Sequence, residues 1–229
     1  ESPKGFNMNT NIGSIILNDG SNLVTLASTG DNVNIGGDIT TTGEAPLTIN
    51  GEDIQTAEVD LSKSPTSGGT LTVNVDSGDN GAFDWKINGD VVAGSVDVNG
   101  TSTNDTVDFT DTYTVTSRNG AINMADGGDI ATINLITTNG LTATITNATA
   151  GSSNVTLGDV VGDVGFVGGN EGSLTINSTG SVTVGAVDLS ASGTTGGTLA
   201  VNLDTDNDTG GASLTSGALT LGGFAIAGG

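Results

Sequence analysis

Carboxylates at alternate positions make Asp204, Asp206 and Asp208 the residues best placed for chemistry, and the chemistry they suit is binding a hard cation. They lie in Asp204-Thr205-Asp206-Asn207-Asp208-Thr209-Gly210, where several oxygens of one loop could converge on Ca²⁺. The position where a helix-flanked calcium loop places its bidentate Glu holds Thr215. A related stretch, Asp76-Ser77-Gly78-Asp79-Asn80, has fewer carboxylates, and Asn104, Asp105, Asp108 and Asp111 make a looser cluster. A solvated acidic turn is the competing reading of all three.

Little else in the chain can react. It contains no His and no Cys, which removes the usual base at neutral pH, the thiolate and the commonest transition-metal ligands. One Trp, one Tyr and one Arg are too few to build a sugar subsite beside a carboxylate pair. A polysaccharide-processing enzyme is therefore a remote reading, and we expect no catalytic residues. Trp85, two residues from Phe83, reads as a core plug. Thr-x-Thr triplets at 40–42, 101–103, 112–116 and 142–146 raise a second remote reading, an ice-binding surface, but they do not recur at one spacing.

The elements that hold these residues announce themselves by repetition. Gly68-Gly69-Thr70-Leu71-Thr72-Val73-Asn74-Val75-Asp76 returns as Gly196-Gly197-Thr198-Leu199-Ala200-Val201-Asn202-Leu203-Asp204. Leu47-Thr48-Ile49-Asn50 returns as Leu174-Thr175-Ile176-Asn177, and Val59-Asp60-Leu61-Ser62 as Val187-Asp188-Leu189-Ser190. The copies lie 127 residues apart at the first block and 128 apart at the last, so residues 47–83 resemble 174–212. Leu71, Val73 and Val75 alternate with polar residues, as a strand buried on one face requires. By the same rule Leu199, Val201 and Leu203 point inwards and Asn202 outwards.

Composition gives the class. Glu occurs five times, Lys three times, Met twice and Gln once, so the residues that build helices are scarce. Thr, Ser, Asn, Asp and 38 Gly take their place, which makes the chain all-β. The net charge of −22 with four basic residues excludes nucleic acid as a partner and argues against docking on anionic lipid headgroups. No apolar run is long enough to insert into a bilayer as a helix. The chain starts at Glu1 and reads as a processed mature chain or a piece of a longer one. Six Asn-x-Ser/Thr sites are about what this much Asn, Ser and Thr produces by chance.

Short apolar pairs recur along the whole length, divided by Gly-, Asn- and Asp-rich turns. Asn99-Gly100, Asn119-Gly120 and Asn139-Gly140 fall 20 residues apart. Gly-Asp-Ile/Val recurs at Gly37, Gly89, Gly128, Gly158 and Gly162. This rhythm predicts a parallel β-helix, a β-solenoid of roughly 20-residue rungs and about eleven turns, forming one elongated repeat domain over 1–229. The alternative is two tandem β-sandwich modules, 1–101 and 102–229, since Asn-Gly also makes hairpins.

Residues 172–184, Gly-Ser-Leu-Thr-Ile-Asn-Ser-Thr-Gly-Ser-Val-Thr-Val, resemble the passenger regions of autotransporters and secreted exoproteins of the filamentous-haemagglutinin type. Val115-Thr116-Ser117-Arg118-Asn119-Gly120-Ala121-Ile122 is similar to them as well. The resemblance implies a right-handed parallel β-helix acting as an adhesin or surface fibre, and it carries over no functional residue. The expected function is a secreted or cell-surface prokaryotic structural protein: a fibre subunit or adhesin shaft, assembling end to end as a homopolymer and contacting a host or abiotic surface. Phe6, Met8, Leu219, Leu221, Phe224 and Ile226 are its candidate polymer contacts. The alternative is a calcium-dependent tandem-sandwich binding module.

Overall fold

The computed structural model describes residues 10–18, 24–27, 32–64, 67–75, 84–100, 106–118, 120–126, 130–137, 142–147, 154–162, 172–190, 196–206 and 211–228. These residues form a β-solenoid with strands on three faces and no helix. The third face is a nine-stranded parallel sheet. Its strands are Val24–Ala27, Leu47–Gly51, Thr70–Val75, Ser95–Asn99, Ile122–Asp126, Thr142–Asn147, Ser173–Ser178, Thr198–Leu203 and Gly223–Gly228, one from each coil. The first and second faces begin with Thr10–Ile12 and Ile15–Leu17 and end with Leu214–Ser216 and Leu219–Thr220. They merge into one 15-stranded sheet because Thr106–Ser117, Ile130–Thr137 and Val155–Gly162 run across both.

Alternation along each strand builds the core. On the third face Leu47, Leu71, Val96, Ile122, Ala143, Leu174 and Leu199 stack in one buried column. Ile49, Val73, Val98, Met124, Ile145, Ile176 and Val201 make a second. Burying one such side chain is worth roughly 1.5–3 kcal/mol, and a stack of them offsets the backbone entropy of the many short strands. Trp85 is buried in the column of the first face between Ile54 and Val107. Its indole N–H donates to Thr56 Oγ1 at 3.1 Å, so this buried donor is satisfied.

The solenoid is as expected, but its period is not. Partners on the third face lie between 21 residues apart (Ile122 and Ala143) and 31 apart (Ala143 and Leu174), with most near 25. Roughly 20-residue rungs and about eleven turns were therefore too short and too many. The Asn-Gly spacing misled because it marks two different corners. Gly100 follows the third-face strand of its coil, whereas Gly120 precedes the third-face strand of the next. Asn119 and 139–140 lie outside the described residues. The tandem-sandwich alternative fails too, since parallel pairing runs straight across its proposed boundary at Val96↔Ile122 and Trp85↔Val107.

The duplicated blocks take on a new meaning. Leu47–Asn50 lies directly against Leu71–Asn74, and Leu174–Asn177 against Leu199–Asn202. What the sequence presents as separate parts of one long repeat are neighbouring coils, and the 127–128-residue offset spans five of them. The closest likeness lies at the corner after the second face. Gly69 N–H donates to Leu61 O at 2.9 Å, and Gly197 N–H to Leu189 O at 2.8 Å, the same contact at both corners. In both, an Asp (Asp60 or Asp188) accepts from the N–H and hydroxyl of a Ser two residues on. A Cβ on Gly69 would collide with the Ala45 carbonyl, and one on Gly197 with the Gly172 carbonyl. The Gly pair is required by the close approach of neighbouring coils.

Candidate functional site

Three places on the solenoid bear on function: the last coil, the outer surface of the third face and the acidic turn.

In the last coil, Phe224 pairs with Leu199 and Ile226 with Val201, which places both in core columns. Leu219 pairs with buried Val187 in the same way. Yet Phe224 is 49%, Ile226 54% and Leu219 37% exposed, because among the described residues no coil covers them. Leu221 is partly buried against the core. Four of the six expected polymer contacts therefore come together on one end. Phe6 and Met8 lie outside the described residues. Among the described residues the strand Gly223–Gly228 pairs with Thr198–Leu203 alone, and no described strand takes its other edge. Sequence reasoning missed a further exposed apolar residue, Ile16, which is 63% exposed on the outer side of the second face in the first coil.

The outer surface of the third face was not anticipated as an ordered array. Asn74 Nδ2 donates to Asn50 Oδ1 at 2.5 Å, and Asn99 Nδ2 to Asn74 Oδ1 at 3.0 Å. Farther along the same column Asn202 Nδ2 donates to Asn177 Oδ1 at 2.7 Å, and Asn177 Nδ2 to Thr146 Oγ1 at 3.1 Å. A parallel column joins the hydroxyls of Thr70 and Ser95 at 2.8 Å. Asp97 is the one carboxylate at these outward positions among the described residues, and Asn123 Nδ2 donates to it at 3.2 Å. The signal was present in the sequence as Asn50, Asn74 and Asn99, spaced 24 and 25 residues apart. Of the Thr triplets only Thr142–Thr146 joins this array, through Thr146. Thr40–Thr42 and Thr112–Thr116 belong to the second face and the turns around it, Thr142–Thr146 to the third, and 101–103 lie outside the described residues.

The acidic turn follows the third-face strand Thr198–Leu203. Asp204 has φ 52°, the left-handed conformation that Asp tolerates better than most residues. Thr205 N–H donates to Ser178 O at 3.2 Å, which ties the turn to the coil below. The Asp204 Oδ1 is enclosed without a hydrogen-bond partner among the described residues. Asp206 shares the turn, while Asp208 and the rest of 207–210 lie outside the described residues. Among the described residues no three His, Cys, Asp or Glu side chains gather into a metal site. Asp108 and Asp111 of the looser cluster lie on one strand, with 101–105 outside the described residues, and so does 76–83.

No protein-family model, curated protein or solved structure matches the chain. No helix among the described residues is long and apolar enough to cross a membrane.

Proposed function

We propose that this protein is a secreted or cell-surface structural element, a fibre subunit or the shaft of an adhesin, which assembles end to end by strand pairing. One observation carries the reading. Phe224 and Ile226 occupy core positions in the last described coil and are half exposed, beside a strand edge that no other described strand pairs. Burial of such a surface and pairing of such an edge act in the same direction. The resemblance to autotransporter passengers and filamentous-haemagglutinin-type exoproteins supports the extracellular placement, as does a chain free of Cys and rich in Thr, Asn and Gly. The proposal assigns no catalytic residue, in keeping with the absence of His and Cys. The ordered hydroxyl and amide face is the surface such a shaft would present to a host or abiotic material.

Sedimentation and electron microscopy of the purified chain test this reading. The expected result is fibres from the full chain and a soluble monomer after deletion of Gly217 to Gly229. A full chain that stays monomeric at high concentration overturns it.

A calcium ion at the acidic turn is a second, separable reading, favoured by the enclosed and unpartnered Asp204 Oδ1. Asp204 and Asp206 would be its ligands from the described residues, with Asp208 in the same loop.

A further inference from the structure

The end-to-end reading leaves open how one copy meets the next, and the solenoid's own register answers it. Within the chain the third-face column begins with Val24 against Leu47 and closes with Leu199 against Phe224. The neighbouring column begins with Leu26 against Ile49 and closes with Val201 against Ile226. On the second face Ile15 lies against Ile39, and Val187 against Leu219. Among the described residues Val24 and Phe224 are thus the two end positions of one column, as are Leu26 and Ile226. Ile15 and Leu26 are only partly buried, which leaves the first coil with apolar surface to cover as well.

We propose, resting on the end-to-end reading above, that the occupant of the last coil is the first coil of a second copy. It is seated in the internal register, with Val24 over Phe224, Leu26 over Ile226 and Ile15 over Leu219. The contact continues an interface that the molecule already makes between each pair of its own coils. Its symmetry is heterologous and does not close, so addition repeats without limit.

Charge favours this contact over any sideways one. The strands Thr10–Ile12, Ile15–Leu17 and Val24–Ala27 carry no charged residue and no Pro. The same holds for Leu214–Ser216, Leu219–Thr220 and Gly223–Gly228. Charge and Pro are what natural sheet edges use to refuse a partner strand. The net charge of −22 is carried elsewhere, at flanking positions such as Asp60, Asp97 and Asp188. Two copies approaching side by side bring like charges together, whereas two copies meeting end to end join neutral strands.

The absence of native Cys permits a direct test of register. Ala225 pairs with Ala200, and Thr25 with Thr48, so the proposed junction sets Ala225 of one copy opposite Thr25 of the next. Both are exposed, and neighbouring strands approach within disulfide reach. The double variant Thr25→Cys/Ala225→Cys, assembled and then oxidised, should give a ladder of covalent oligomers on a denaturing gel. Thr25→Cys/Ala227→Cys, displaced by two residues, should lose that ladder, and either single variant, whose one thiol faces no thiol across the junction, should run as a monomer. Fibres in which the displaced pair cross-links as well as the in-register pair, or in which neither does, overturn the register and leave the fibre reading standing. If neither variant nor the unmodified chain forms fibres, both proposals fail.

Discussion

The third face and the sheet formed by the other two are built from the same residue types, yet they handle irregularity in opposite ways. All pairings on the third face run without a register shift, from Val24 at one end to Gly228 at the other. The 15-stranded sheet slips between Asp108 and Tyr113, and again between Ile130, Ile133 and Leu135. Side chains follow the same division. On the third face they bond to each other across coils, Asn to Asn and Thr to Ser. At the corner between the other two faces they attend to the backbone instead. Asp90 Oδ1 accepts from Thr114 N–H, and Asp159 Oδ1 from Ala186 N–H, each at 2.8 Å. Where strands stay in register, like residues stack. Where the chain bends, carboxylates take up backbone donors and let the bend persist.

This contrast is best tested by disturbing register directly. A single Gly inserted between Thr144 and Ile145 would turn the inward column of the third face outwards from that point, and should cost upwards of about 4 kcal/mol. The same insertion after Thr110, within the stretch that already slips, should cost within about 1 kcal/mol. Urea denaturation followed by the fluorescence of the buried Trp85 measures both. Equal losses would erase the distinction between the faces.

A smaller effect separates the two sides of the third face. Val201→Asp buries an unpaired carboxylate and should cost about 3–4 kcal/mol. Asn202→Asp keeps an outward side chain but replaces the amide that donates to Asn177, for a loss of about 1 kcal/mol. From the sequence Asn202 reads only as an outward position, and its neighbour Asn177 becomes visible in the fold. A change no larger than that of a surface substitution would mean the Asn column carries no stability.

The smallest expected effect is at the acidic turn that follows the strand Thr198–Leu203. Millimolar calcium should raise the Tm of the intact chain by a few degrees over chelator, and Asp206→Asn should remove most of that gain. Identical melting curves in calcium and chelator would leave a solvated turn.

The fold was legible because alternation survives any loop length. Leu71, Val73 and Val75 read as inward from three residues of context, and they are buried. Leu203 is a partial exception, only partly buried where the strand gives way to Asp204. The period was not legible in the same way, since the turns between faces vary freely and only the strands must align. The spacing of Leu47 to Leu71, and of Leu174 to Leu199, already held the true value. The evenly spaced Asn-Gly pairs concealed it. Among the candidate contacts, Phe224 and Ile226 stood out as an apolar run without charge, while the Asn column did not. An outward Asn has no meaning until the coil beneath it is known to offer another.

The stacking of equivalent circuits also bears on how such a gene can change. Each coil meets the next through the same seam, and the longest likeness in the chain repeats after five whole coils. Unequal recombination that adds or removes whole circuits therefore leaves every inward column continuous, whereas an exchange that cuts a circuit short does not. Length can then change in whole coils while the packing rules of the core stay fixed.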